Sequence, residues 1–138
     1  MRFLMLIYPS PQAEAGVLPD AKLVGEMMKY NEELAKSGVL ISLDGLHPTS
    51  KGARVSFPGG KPKVTDGPFT ESKEVLGGFW MINVKSKQEA IDWARRVPAN
   101  ADDMVEVRQV FEIADFPEDV QKAADSPTVR AQIEKRGA

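Results

Sequence analysis

The chain has no cysteine and a single histidine, His47. The first absence excludes disulfides, zinc–thiolate sites, iron–sulfur clusters and a cysteine nucleophile. The second excludes a multi-histidine metal site within one chain. Aromatic residues are few, with two tryptophans and two tyrosines among 138 residues. Neither sign of charge dominates: 18 Lys and Arg stand against 20 Asp and Glu, a formal net charge of -2. The concentrated basic surface of a duplex-binding protein is therefore not indicated by composition. No apolar run approaches the ~18 residues of a membrane span. Residues 3–8, Phe-Leu-Met-Leu-Ile-Tyr, follow Arg2 and precede Ala13-Glu14-Ala15, a loose likeness to an export signal. That run is too short for a signal core and stops at Pro9, so it reads as a strand. Hydrophobic content of 42% and this length suit one soluble domain with a real core. The expected location is the cytoplasm, with neither nucleic acid nor membrane as partner.

What is present is periodic. Residues 3–8 are apolar at both parities, as in a strand covered on both faces. Over residues 20–37, Leu23, Met27, Tyr30 and Leu34 recur at helical spacing, with Gly38 as C-terminal cap. In the strand predicted over 39–46, Val39, Ile41 and Leu43 share one face, and Ser42 and Asp44 the other. Ala53, Val55 and Phe57 alternate with Arg54 and Ser56. Pro58-Gly59-Gly60 turns that short strand into a weak partner over 61–65. Residues 77–84 form another strand, and Gly77-Gly78 at its start predicts a bulge or a close backbone approach. Ser86-x-x-Glu89 is a capping box, with the Glu89 carboxylate reaching back to the cap. It opens a helix that Pro98 stops, and a last main strand follows over 104–111, with Val105, Val107, Gln109 and Phe111 on one side. Strand, helix, strand, inserted hairpin, strand, helix, strand is an α+β, ferredoxin-like βαβ-βαβ sandwich. Its four main strands form an antiparallel sheet with both helices on one face. The other face needs a cover, and a second copy packed sheet to sheet supplies it, so a homodimer is expected. Residues 113–138 form a helical tail, opened by Ser126-Pro127 and carrying Val129 and Ile133 on a narrow apolar face.

The candidate chemistry is carboxylate-rich. Asp66-Gly67-Pro68-Phe69 has a structural use as a turn: Asp caps it, Gly permits positive φ, Pro sets the next φ and Phe69 anchors the loop in the core. Its functional use is to present Asp66 at a cleft mouth. Glu71, Lys73 and Glu74 form a mixed-charge cluster beside it; two converging carboxylates can supply a general acid, and Lys73 can hold an anion. His47 suits general-base work near neutral pH, oriented by Asp44 or Asp66. Arg54 can pair a carboxylate or bind an anion. Topology brings the loops after the second strand and before the Gly77-Gly78 strand to one sheet edge, so His47 and Asp66 are expected to border one pocket. Asp44, Arg54, Glu71, Lys73 and Glu74 are the accompanying substrate-binding candidates. No calcium-loop spacing is present and Gly77-Gly78 is no nucleotide loop, so neither metal nor cofactor is expected.

The stretch Asp66-Gly67-Pro68-Phe69-Thr70-Glu71-Ser72-Lys73-Glu74, followed by Leu76-Gly77-Gly78-Phe79, resembles the DGPF family of YCII-related proteins. The opening strand, Gly38-Val39-Leu40, Gly45-Leu46-His47-Pro48 and Val105-Glu106-Val107-Arg108 agree with that pattern. The likeness covers roughly 1–112, leaving 113–138 as a separate tail. It implies a bacterial, biochemically uncharacterised protein with a dimeric α/β barrel fold. The better-known YCII branch pairs a helix histidine with an aspartate at the end of the second strand. Here the region of Glu26 and Met27 carries no histidine, while Asp44 stands near the aspartate. The function implied is small-molecule binding or an orphan enzyme activity using the carboxylate-rich cleft. Two alternatives stand beside it: a regulatory module contacting an extracytoplasmic-function sigma factor, and, by analogy of fold alone, a metal-independent oxygenase-like enzyme.

Overall fold

The computed structural model describes residues 1–69 and 75–137. β1 (Arg2–Tyr8) leads through a short helix α1 (Pro11–Glu14) to the long helix α2 (Ala21–Lys36). α2 opens where the Asp20 carboxylate accepts the Leu23 N–H at 2.8 Å. It ends before Gly38, whose φ of 78° is the left-handed conformation glycine adopts without a side-chain clash. β2 (Leu40–Gly45) precedes the hairpin of β3 (Ala53–Ser56) and β4 (Lys63–Asp66), which stands as a separate two-stranded sheet. β5 (Gly78–Asn83), α3 (Lys87–Ala94) and β6 (Met104–Gln109) complete the main body, and α4 (Glu118–Ala123) and α5 (Pro127–Gly137) form the tail.

The main sheet runs β2-β5-β1-β6, antiparallel at every pairing. Alternation along β1 and β5 sends Phe3, Met5, Trp80 and Ile82 to one face. There they are buried with Tyr30 and Leu34 of α2 and Ala90 of α3. Full burial of a large apolar side chain is worth about 1.5–3 kcal/mol, so this layer carries much of the stability. Both crossover helices therefore lie on one face, as the ferredoxin-like expectation required. Leu4, Leu6, Tyr8, Phe79 and Met81 occupy the opposite face and are half-buried.

Three local expectations are corrected. The register shifts between Leu40 and Ser42, a bulge that puts Leu40 and Leu43 against the core and leaves Ile41 exposed. Simple alternation had placed Val39, Ile41 and Leu43 together. The Ser86 hydroxyl accepts the Glu89 N–H at 3.1 Å, but the Glu89 carboxylate accepts from Lys85 N at 2.9 Å, one residue before the cap. Phe111 lies past the end of β6, is 72% exposed, and stacks on Phe116 with centroids 4.9 Å apart.

Candidate functional site

A cavity of about 740 Å³ opens between the first half of α2, residues 9–20, and the ends of β1, β2 and β5. That volume lies within the range of small-molecule sites. Ile7, Leu23, Met27, Leu43 and Trp80 supply apolar wall. Trp80 is buried, with the Tyr30 ring edge-on to it at 5.7 Å. Its indole Nε1–H donates to Asn31 Oδ1 at 2.8 Å, tying α2 to the sheet at the cavity wall. Tyr30 donates its hydroxyl to the Trp93 carbonyl at 2.7 Å, and burial pushes its pKa up, so it stays a protonated structural donor.

The charged groups around the cavity are Asp20, Glu26, Asp44 and Asp103 against Lys22. Asp20 is occupied capping α2, and Asp103 accepts the Asn100 N–H at 2.9 Å. Glu26 and Asp44 have no hydrogen-bond partner among the described residues. Asp44 pairs across the strands with Phe79, so its side chain belongs to the helix-free face at the sheet edge. Gly78 lets the strands meet there: a β-carbon on it would lie 2.8 Å from the Asp44 carbonyl oxygen. Gly77 abuts the Pro9 ring at 3.0 Å by the same test, so the expected close approach is present at both glycines.

Of the described candidate residues, Asp44 alone lines this cavity. His47 and Asp66 are exposed, and no hydrogen bond joins them; the expectation that they border one pocket is not met by this cavity. His47 follows β2 in the loop, whereas Asp66 is held at the far end of β4 opposite Ala53. Among the described residues, Arg54 has no carboxylate partner. Its guanidinium sits 3.9 Å above the Phe69 ring, so Phe69 anchors to the hairpin and not in the core. Glu71, Lys73 and Glu74 lie outside the described residues. No group of three or more metal-binding side chains gathers among the described residues.

The turn itself is bolted down by a relay. Phe69 N–H donates to Thr49 Oγ1 at 3.1 Å, and the Thr49 hydroxyl donates to Glu14 Oε1, which also accepts Thr49 N–H at 3.0 Å. The peptide between Gly67 and Pro68 is cis, and Gly67 is not among the glycines at positive φ. Glycine is needed there for a different reason, the nearness of the Thr49 backbone. The sequence reading missed Asn31. The signal was there: Asn31 follows Met27 by four residues, on the buried edge of the α2 stripe.

The family model for the YCII-related domain matches residues 1–114. The chain belongs to the YCII-related family. The match ends before α4, so the tail of this YCII-related chain lies beyond it. An uncharacterised protein of Rhizobium meliloti is 34% identical over 76 residues, covering 55% of this chain and 61% of that protein. The aligned part thus spans about three-fifths of that relative's length. A solved structure, the 5-chloro-2-hydroxyhydroquinone dehydrochlorinase of Burkholderia phenoliruptrix AC1100 in complex with 2,5-dihydroxybenzoquinone, is similar at 14% identity and a TM-score of 0.44. That likeness covers 81% of this chain and 95% of the dehydrochlorinase. Among the described residues, no helix is long and apolar enough to cross a membrane.

Proposed function

We propose that this YCII-related protein binds a small organic molecule in the cavity between α2 and the sheet, with Glu26 of α2 as the carboxylate that acts on it and Asp44 at the sheet edge where the cavity meets the helix-free face. The observation that carries this reading is a cavity whose apolar wall is built on Trp80 and whose lining includes Glu26, a carboxylate with no hydrogen-bond partner among the described residues. A carboxylate beside a bound molecule can accept a proton from an O–H, N–H or acidified C–H and return it elsewhere, which is the general-base chemistry open to this site. His47, Asp66 and Arg54 are peripheral to it in this reading.

A second copy of the chain covers the helix-free face in the same proposal. Leu4, Leu6, Tyr8, Phe79 and Met81 make a contiguous apolar surface there, and Asp44 stands at its edge beside Phe79. Cavity and dimer seam then meet at Asp44, which is the dimeric α/β barrel reading of the fold. The test is a fragment screen by thermal shift with ¹⁵N-resolved NMR on the full chain. Ligand binding raises the melting temperature by mass action. Hits must move the Trp80 Nε1–H signal and weaken at least tenfold in Glu26→Gln. Hits that leave Trp80 unmoved, or bind Glu26→Gln as well as the wild type, would overturn the assignment.

A further inference from the structure

We infer that Asn31 selects the cavity's ligand: the site takes a small, mostly apolar molecule that presents a neutral hydrogen-bond acceptor, such as a carbonyl oxygen, to Asn31 Nδ2, and it rejects carboxylates and phosphates. This rests on the reading of the cavity as a ligand site. The argument begins at Trp80. An indole N–H is a donor only, so the amide atom facing it at 2.8 Å must be the Asn31 oxygen. The amide is planar and its two ends are then distinguished. Nδ2 is turned away from the indole, and it has no acceptor among the described residues although Asn31 borders the cavity. The Trp80 bond fixes the orientation of this donor on a residue that lines the cavity. A ligand without an acceptor leaves that donor unpaired when it displaces water, and so binds more weakly.

Charge narrows the class. Asp20, Glu26, Asp44 and Asp103 face one ammonium, that of Lys22, around the opening. An anionic ligand meets a repulsive field there, so the acceptor brought to Asn31 is a neutral one.

The experiment titrates the ¹⁵N-labelled full chain with acetophenone, toluene and benzoate, three monosubstituted benzenes that carry a neutral acceptor, no acceptor and an anionic acceptor. Acetophenone is expected to shift the Trp80 Nε1–H and Asn31 side-chain amide signals and to bind about tenfold tighter than toluene, the discrimination of one neutral hydrogen bond. Benzoate is expected to move neither at the same concentration. Asn31→Asp keeps an oxygen for Trp80 and replaces the NH₂ by a carboxylate oxygen; it should erase the preference for acetophenone while leaving toluene binding in place. Equal binding of acetophenone and toluene by the wild type, tighter binding of benzoate, or a preference that survives in Asn31→Asp would overturn selection by Asn31 and leave the cavity as a ligand site. If no probe moves Trp80 Nε1–H, both readings fall. The wild-type ratio decides by itself should the variant not fold.

Discussion

Gly67 lies directly against the Thr49 backbone: a β-carbon on Gly67 would come within 1.6 Å of the Thr49 carbonyl oxygen. The approach is held by Gly67 N–H donating to the Gly52 carbonyl at 2.9 Å. Backbone cannot give way as a side-chain tip can, so Gly67→Ala must move the whole turn. Its expected cost is at least the ~1–3 kcal/mol of an overpacked core. Gly25→Ala is the control, because nothing lies within 4 Å of its added carbon in the interior of α2. It should stabilise by roughly 0.5–1 kcal/mol through helix propensity. Urea denaturation of both variants checks the pair, and a neutral Gly67→Ala would remove the steric account of this motif.

The relay from Phe69 through Thr49 to Glu14 makes a second expectation. Glu14→Ala leaves the half-buried Thr49 N–H and hydroxyl without their acceptor. A loss of about 1–3 kcal/mol is expected. Glu14→Gln retains an acceptor oxygen and should lose less. The amide signal of Phe69, twenty residues from Thr49 in sequence, should shift in both variants. An unmoved Phe69 amide would show that the relay does not couple the two loops.

Arg2 and Glu112 form a two-point ion pair at 2.7 and 3.1 Å, tying β1 to the chain just past β6. The hydrogen bond from Arg2 holds the Glu112 pKa below the usual carboxylate value, with burial opposing. A depressed folded-state pKa means the contribution is full above the unfolded carboxylate pKa and is lost as pH falls through the folded one. Hydrogen exchange of Val110 N–H, which donates to the Arg2 carbonyl at 2.9 Å, should therefore lose protection as pH drops below the ordinary carboxylate range. After correction for intrinsic exchange, Glu112→Gln should show no such step. A wild-type step identical to that of the variant would assign the pH dependence to other groups.

The proposed sheet-to-sheet dimer predicts about twice the chain mass of 15.1 kDa by light scattering at micromolar concentration. Leu6→Glu or Met81→Lys places a charge in the middle of the helix-free face and should give a folded monomer with unchanged far-ultraviolet circular dichroism. A wild-type chain that is monomeric at every concentration would mean that this face is left to solvent.

The course of the main chain was legible because its elements are built on single-period patterns. The stripe of Leu23, Met27, Tyr30 and Leu34 specified α2 and its inward face, and Tyr30 and Leu34 are indeed buried. Gly77-Gly78 announced a close approach that the structure contains. β2 was read less well, since a bulge at Leu40 and Ser42 changes which side chains face inward without changing composition. Of the described candidate residues, only Asp44 is among those that line the cavity. His47 and Asp66 were grouped by sharing a sheet edge in the expected topology; Asp66 sits in the hairpin's own sheet opposite Ala53, and neither residue lines the cavity.

The amino-acid sequence alone therefore determined the α+β class, the order of the main strands and helices, the burial of α2 and the close approach at Gly77-Gly78, because each follows from local periodicity or from the absence of a β-carbon. The tertiary structure alone decided that Asn31 meets Trp80 across 49 residues, that Thr49 sits on Gly67, and that Asp44 reaches the cavity while Asp66 does not. These are contacts between side chains and backbones far apart in the chain. Their geometry depends on strand register and helix placement together, and no spacing within one segment encodes it.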